Sequence, residues 1–223
     1  PYFFSAQSFQ SLSLEWIELT RVFRQTDSVF LTLLNRSRNQ TISDEELDQI
    51  NARVVDHLAI ELPSSPISLT TTNKQAVAIN LDRLERLPGR DHIFDARIEG
   101  DFERGAFPTE KRLILKEGAQ VMLLNNDGMG RWVNGTLATI KRISAKAETL
   151  SVLLPDQREE EVSFYRWDLF HFEMDAGSRR LKPISVGTFT QMPVCLAWAI
   201  TIHKSQGLTF DRAVVDLTRR TFA

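Results

Sequence analysis

The stretch Leu196-Ala-Trp-Ala-Ile-Thr-Ile-His-Lys-Ser-Gln-Gly-Leu-Thr-Phe210 crowds Thr201, His203, Lys204, Ser205 and Gln206 into consecutive turns of chain. His203 and Lys204 carry donors suited to phosphate, and Gln206 carries an amide that can orient an oxygen. Gly207 lets the backbone turn where a side chain would obstruct. Ala197, Trp198 and Ile202 can anchor a helix, so the spacing predicts a helix over Leu196–Gln206 with its polar residues near the C-terminal end. Such crowding suits a polar ligand. The residues alone also permit a solvated helix end, its cations set against the macrodipole.

A second polar cluster follows a short strand expected at Ile67-Ser-Leu69: Thr70-Thr-Thr-Asn73, then a helix with Val77, Leu81 and Leu84 as its apolar face, stopped by Pro88-Gly89. Strand, polar turn and helix make half of a βαβ unit, which leaves helix N-terminal amides pointing out of a parallel sheet. Hydroxyls and free amides there suit an anion, although Thr and Asn also favour N-caps without any ligand.

The 196–210 stretch resembles motif V of the RecD/Pif branch of superfamily 1 DNA helicases, where a Thr-Ile-His-Lys-Ser-Gln-Gly core is close to a signature. The resemblance implies contact with a DNA backbone by Thr201, His203 and Lys204, with Ser205, Gln206 and Gly207 nearer the ATP phosphates. Glu18-Leu-Thr-Arg-Val-Phe-Arg-Gln-Thr-Asp27 is similar to motif IV of the same family. That similarity implies Arg24 as the catalytic arginine on the γ-phosphate, with Gln25 beside it. A guanidinium meets the need, donating two parallel hydrogen bonds and stabilising charge in phosphoryl transfer. Arg24 could instead cap the following helix or pair with Asp27. Leu69-Thr-Thr-Thr-Asn73, followed by Val77 and Asn80, resembles the family's phosphate-gripping strand end, which implies DNA binding by Thr71, Thr72 and Asn73. Finally, Lys116 to Asp127 with Trp132-Val-Asn-Gly-Thr136 resembles the start of the Src-homology-type barrel that these helicases insert before motif V. Trp132 could stack on a base or sit in the barrel core.

The elements that must hold these residues are legible as patterns. Leu14-Glu-Trp-Ile-Glu-Leu19 alternates like a half-buried strand, and Thr26–Arg38 is expected to be a helix. Ser43 and Glu46 form a capping-box pattern ahead of Leu47, Ile50, Val54 and Leu58, with Pro63 as the stop. Between about Leu113 and Phe172 the text becomes strand-like, at Leu113–Leu115, Val121–Leu124, Leu137–Ile140, Leu150–Leu154 and Glu161–Tyr165. Asn134-Gly135 reads as a two-residue hairpin between the second and third of these. The expected fold class is α/β, a RecA-like parallel-sheet domain with an inserted small β-barrel. The expected divisions are 1–112 and 186–223 for the RecA-like domain and 113–185 for the barrel.

A formal charge of -2 and a pI near 6.2 exclude a protein that coats duplex DNA by bulk charge, so any contact with nucleic acid must be local. Between Ser178 and Arg220, seven basic residues face two acids, which makes that end electropositive. Glu159-Glu160-Glu161 would repel a phosphate backbone. Cys195 is the only cysteine, so an internal disulfide is impossible and a reducing, intracellular setting fits. No apolar run reaches the ~20 residues of a membrane span.

No Gly-Lys-Thr or Gly-Lys-Ser loop occurs, and the resemblance begins after the family's Walker segments and stops before motif VI. The expected partners are therefore single-stranded DNA and a first RecA-like domain elsewhere in the parent protein, which would use ATP and magnesium and move 5′ to 3′. By itself the chain is expected to bind no cofactor and to hydrolyse no ATP. A non-enzymatic module that binds single-stranded DNA is the competing expectation.

Overall fold

The computed structural model describes residues 3–18, 27–54, 66–174, 180–210 and 212–217, and its contacts divide the chain into two units, 1–60 and 61–223. In the first unit, two 3-10 turns (Phe3–Ser5 and Gln7–Ser11) precede helices α1 (Ser28–Arg38) and α2 (Asp44–Asn51). The Asp27 carboxylate accepts from the Phe30 amide at 3.0 Å, so Asp27 is the cap and α1 starts one residue later. Ser43 and Glu46 form the expected capping box, each side chain accepting from the other's amide at 3.3 and 3.0 Å. Arg36 pairs with Glu46, tying the two helices together. The strand expected at Leu14–Leu19 does not form over 14–18: among the described residues these pair with no neighbour, and Trp16 and Ile17 are 86% and 80% exposed. Alternation specifies a strand only where a partner edge is available. Leu19, Thr26, Leu58 and Pro63 lie outside the described residues, and α2 ends before Val54.

The second unit is built on a parallel sheet of three strands, in which β1 (Ile67–Thr70) lies between β12 (Ala199–Thr201) and β13 (Ala213–Asp216). Thr70 is in register with Thr201 on one side and Asp216 on the other. From β1 the chain turns directly into α3 (Asn73–Arg86), which ends at Leu87, just ahead of Pro88 and Gly89. The apolar face of α3 differs from expectation. Ala76 and Leu84 are buried, while Val77 and Leu81 are about half exposed. A polar residue holds the helix in place instead: the Asn80 amide donates to Leu196 O (3.2 Å) and Ala199 O (2.8 Å) and accepts from Ala199 N (2.8 Å).

Between α3 and β12 the chain is almost entirely strand. β2 (His92–Asp95) pairs with β4 (Arg112–Leu115), and β3 (Arg97–Gly100) joins β10 (Leu181–Gln191) and β9 (Tyr165–Met174) in an antiparallel sheet. A five-stranded antiparallel sheet runs in the order β11 (Val194–Leu196), β5 (Gln120–Leu123), β6 (Leu137–Ser144), β7 (Thr149–Leu153), β8 (Glu159–Ser163). Leu115, Val121, Leu123, Ile140, Leu150, Val152 and Val162 point into its core. A register shift between Ile140 and Arg142 resets the alternation, so that Ile143 also faces inward.

Strand pairing crosses the expected divisions, since β2 lies before residue 113 and β11 after 186. Asn134-Gly135 is not the tip of a two-residue hairpin. The β5–β6 connection runs from Leu124 to Thr136, and Gly135 turns at φ 93° near its end, donating to Leu123 O at 2.8 Å. The long β9–β10 pair was not anticipated from sequence, because its outward Phe170, Phe172 and Met174 give no clean polar face.

Asn80→Ala would leave Ala199 N and two carbonyls without partners in a half-buried setting. The expected loss is about 2–3 kcal/mol of unfolding free energy, measured by urea titration monitored through Trp fluorescence.

Candidate nucleic-acid interface

Two neighbouring strands end at the same level on the carboxyl edge of the parallel sheet, and each ends in a threonine-capped helix. On β1, the buried Thr70 hydroxyl lies within reach of Thr72 O (3.2 Å) and Ile200 O (3.3 Å), which joins the two strand ends. Thr72 then caps α3, its hydroxyl accepting from Gln75 N at 3.3 Å. On β12, Thr201 does the same for α4 (Ile202–Ser205), accepting from Lys204 N at 3.3 Å. The single helix expected over Leu196–Gln206 is therefore replaced by β11, β12 and one turn of helix. Only an extended Ala199–Thr201 can complete the hydrogen bonds of β1, and Ile200 in that form reaches the second core with Ile67, Met122 and Ala197. The polar residues consequently flank the start of a short helix rather than the end of a long one.

Thr71, Thr72, Asn73, Thr201, His203 and Lys204 line one open depression of about 450 Å³. All six residues expected to contact DNA thus come together. No carboxylate is among these lining residues; the nearest acid in register, Asp216, accepts from the Gln75 amide. His203 and Lys204 are exposed, whereas Thr71 is only 8% exposed and its hydroxyl has no hydrogen-bond partner among the described residues. An unpaired buried hydroxyl costs free energy unless something else supplies the bond. With 14 residues, α3 also presents the free amides of its first turn at this edge.

The residues expected nearer ATP sit differently. The Ser205 hydroxyl donates to Ile202 O (2.7 Å), Gln206 is exposed, and Gly207 turns at φ 86°. None of the three lines the depression. Arg24 and Gln25 lie outside the described residues. Sequence reasoning noted Asn80 but missed its clamping role; the signal was a lone amide on the helix side that faces β12. Trp132 is core: it is 6% exposed, its indole N–H donates to Asn125 Oδ1 at 3.2 Å, and the Arg131 guanidinium covers its ring at 4.4 Å. Arg131 in turn holds the Asp127 carboxyl well below the usual carboxylate range. In the acidic run, Glu159 accepts from Ser151, and Glu160 pairs with Arg131 and Arg158.

Beside the depression, burial pushes the Cys195 thiol up to about 11, with Lys204 lowering it and Glu110 raising it further. The folded thiol therefore stays neutral while an unfolded thiol ionises from pH 9, so its contribution to stability falls as pH rises through that window. Iodoacetamide labelling of Cys195 is expected to be slow at pH 8 and to rise with a midpoint near 11 in the folded chain, read by mass spectrometry.

No protein-family model matches the chain. It is 31% identical to the human ATP-dependent DNA helicase PIF1 over 227 residues, covering 97% of this chain and 33% of that protein. Among solved structures, Bacteroides sp. Pif1 in complex with ADP-AlF4 matches 100% of this chain and 50% of its own at 30% identity, with a TM-score of 0.84. Bacteroides Pif1 bound to single-stranded DNA matches 99% of this chain and 50% of its own at 31% identity, with a TM-score of 0.67. The chain therefore spans between a third and a half of the length of these relatives.

Proposed function

The homologues of this chain being Pif1-family superfamily 1 DNA helicases, we propose that it forms part of an ATP-dependent DNA helicase, as a RecA-like second motor domain with an inserted barrel. Within it, the depression lined by Thr71, Thr72, Asn73, Thr201, His203 and Lys204 grips the backbone of single-stranded DNA. The observation that carries this reading is the buried Thr71 hydroxyl, unpartnered among the described residues and set among free helix amides and the exposed donors of His203 and Lys204, with no carboxylate among the described lining residues. A phosphate oxygen completes that set, accepting from the hydroxyl, from α3 amides and from Lys204. The relative bound to single-stranded DNA supports the same class of ligand.

ATP, held with magnesium in the parent protein, supplies the free energy of movement. Gln206 and Gly207 are both exposed, and Gly207 turns at φ 86°, which fits an edge approached by phosphate. Ser205, Gln206 and Gly207 follow Lys204 directly, so a shift of α4 moves both sets together. Arg24 and Gln25 are proposed to face the γ-phosphate, opposite a first RecA-like domain of the parent. The family resemblance implies net movement 5′ to 3′, and we propose that the strand is held alternately by the two domains.

Thr71→Val separates ligand binding from folding. It removes an orphan hydroxyl while keeping shape and branching, so the variant is expected to be as stable as wild type or more stable, by up to about 1 kcal/mol. Its affinity for oligo-dT is nevertheless expected to fall about fivefold to tenfold by fluorescence anisotropy. Unchanged affinity in Thr71→Val and His203→Ala would remove the assignment. Lys204→Ala is expected to lower the slope of log affinity against log salt by roughly 0.7, the loss of one single-strand phosphate contact.

A further inference from the structure

The stripe Val77, Leu81 and Leu84 on α3 reads as a core face, yet Val77 and Leu81 are 50% and 53% exposed. With Leu113, Ile114 and Leu196 these side chains wall a pocket of about 360 Å³. That is the scale of a small-ligand site, which begins at about 300 Å³. Exposed apolar side chains gathered around a concavity need an occupant more than scattered ones do.

Two observations say what the occupant is. The first is continuity: Asn73, Thr201 and Lys204 line both this pocket and the phosphate depression, so one molecule can lie in both at once. The second is chemistry. The walls are aliphatic, while Glu110 and Arg112 offer an acceptor and donors among the lining residues. A flat ring with a polar edge, attached by a short link to a phosphate, meets both conditions. We propose that the α3 groove receives one base of the single strand whose backbone lies in the depression, turned out of the stack of its neighbours. The proposal rests on the backbone-binding reading above and adds a base subsite to it. Burial against Val77 and Leu81 offsets the cost of unstacking, and aliphatic walls accept any base, which suits a motor that must pass every sequence.

The test compares oligo-dT with an abasic oligomer of equal length by anisotropy, using the full 223-residue chain. Wild type is expected to prefer oligo-dT about tenfold. Val77→Ser combined with Leu81→Ser changes half-exposed side chains, so the fold is retained, which a thermal melt verifies. This double variant is expected to bring the preference to about twofold or less by weakening oligo-dT alone, with abasic affinity unchanged. His203→Ala, by contrast, is expected to weaken both oligomers by the same factor. A single 2-aminopurine in the oligomer is expected to brighten on binding wild type and to stay dim on the double variant. Equal affinity of wild type for the two oligomers, or equal weakening of both by the double variant, overturns the base subsite and leaves the backbone grip standing. Failure of wild type to bind either oligomer overturns both.

Discussion

The parallel pairing of β1 with β12 is the interaction on which the rest depends. It sets Thr70 opposite Thr201, so two segments separated by more than a hundred residues of sequence end at one level and begin their helices side by side. The pairing is short, three residues long, and a strand of that length does not hold its register through hydrogen bonds alone. Asn80 fixes it from the side, bonding the backbone of Leu196 and Ala199, and the Thr70 hydroxyl fixes it from the end through Ile200 O. Both are polar devices set beside apolar ones, Thr70 buried and Asn80 half-buried, and each fits a single register.

The inserted strands constrain this edge as well as interrupt it. β5 alternates between two cores: Val121 and Leu123 face the barrel, while Met122 packs with Ile67, Ala197 and Ile200 under the parallel sheet. β11 pairs with β5 and ends at Leu196, and the chain enters β12 only three residues later at Ala199. Gln120 holds that crossing from both sides, its backbone carbonyl accepting from Ala197 N and its amide donating to Ala197 O. Trp198, at 8% exposure, packs into the barrel core at the same point. The barrel and the motor-type sheet thus share continuous backbone at the place where the polar cluster begins.

Against this rigid frame, the depression and the groove are where the structure leaves groups unsatisfied. Thr71 keeps an unpaired hydroxyl, Gln75 keeps an unpaired carbonyl oxygen, and α3 exposes two aliphatic side chains. A surface optimised only for stability would pair or cover these groups. Their concentration at one sheet edge, next to exposed His203 and Lys204, is what a site that must take up and release a ligand requires.

The sequence by itself determined the local features: the Ser43–Glu46 capping box, the helix after Thr72, four of the strand-like runs as members of the five-stranded sheet, with the fifth, Leu113–Leu115, pairing β2 instead, and the six residues of the depression as a candidate set. These were legible because caps, periodicity and a near-signature motif act over a few residues. Tertiary structure decided what depends on a distant partner. Leu196–Gln206 has the composition of a helix, but Ala199–Thr201 became a strand because β1 offered an unpaired edge. Leu14–Glu18 has the alternation of a strand and stayed unpaired. Val77 and Leu81 carry the pattern of a core face and instead line a groove, half exposed. Side-chain pattern states what a segment can bury, and only the arrangement of the remaining chain settles whether a surface is there to receive it.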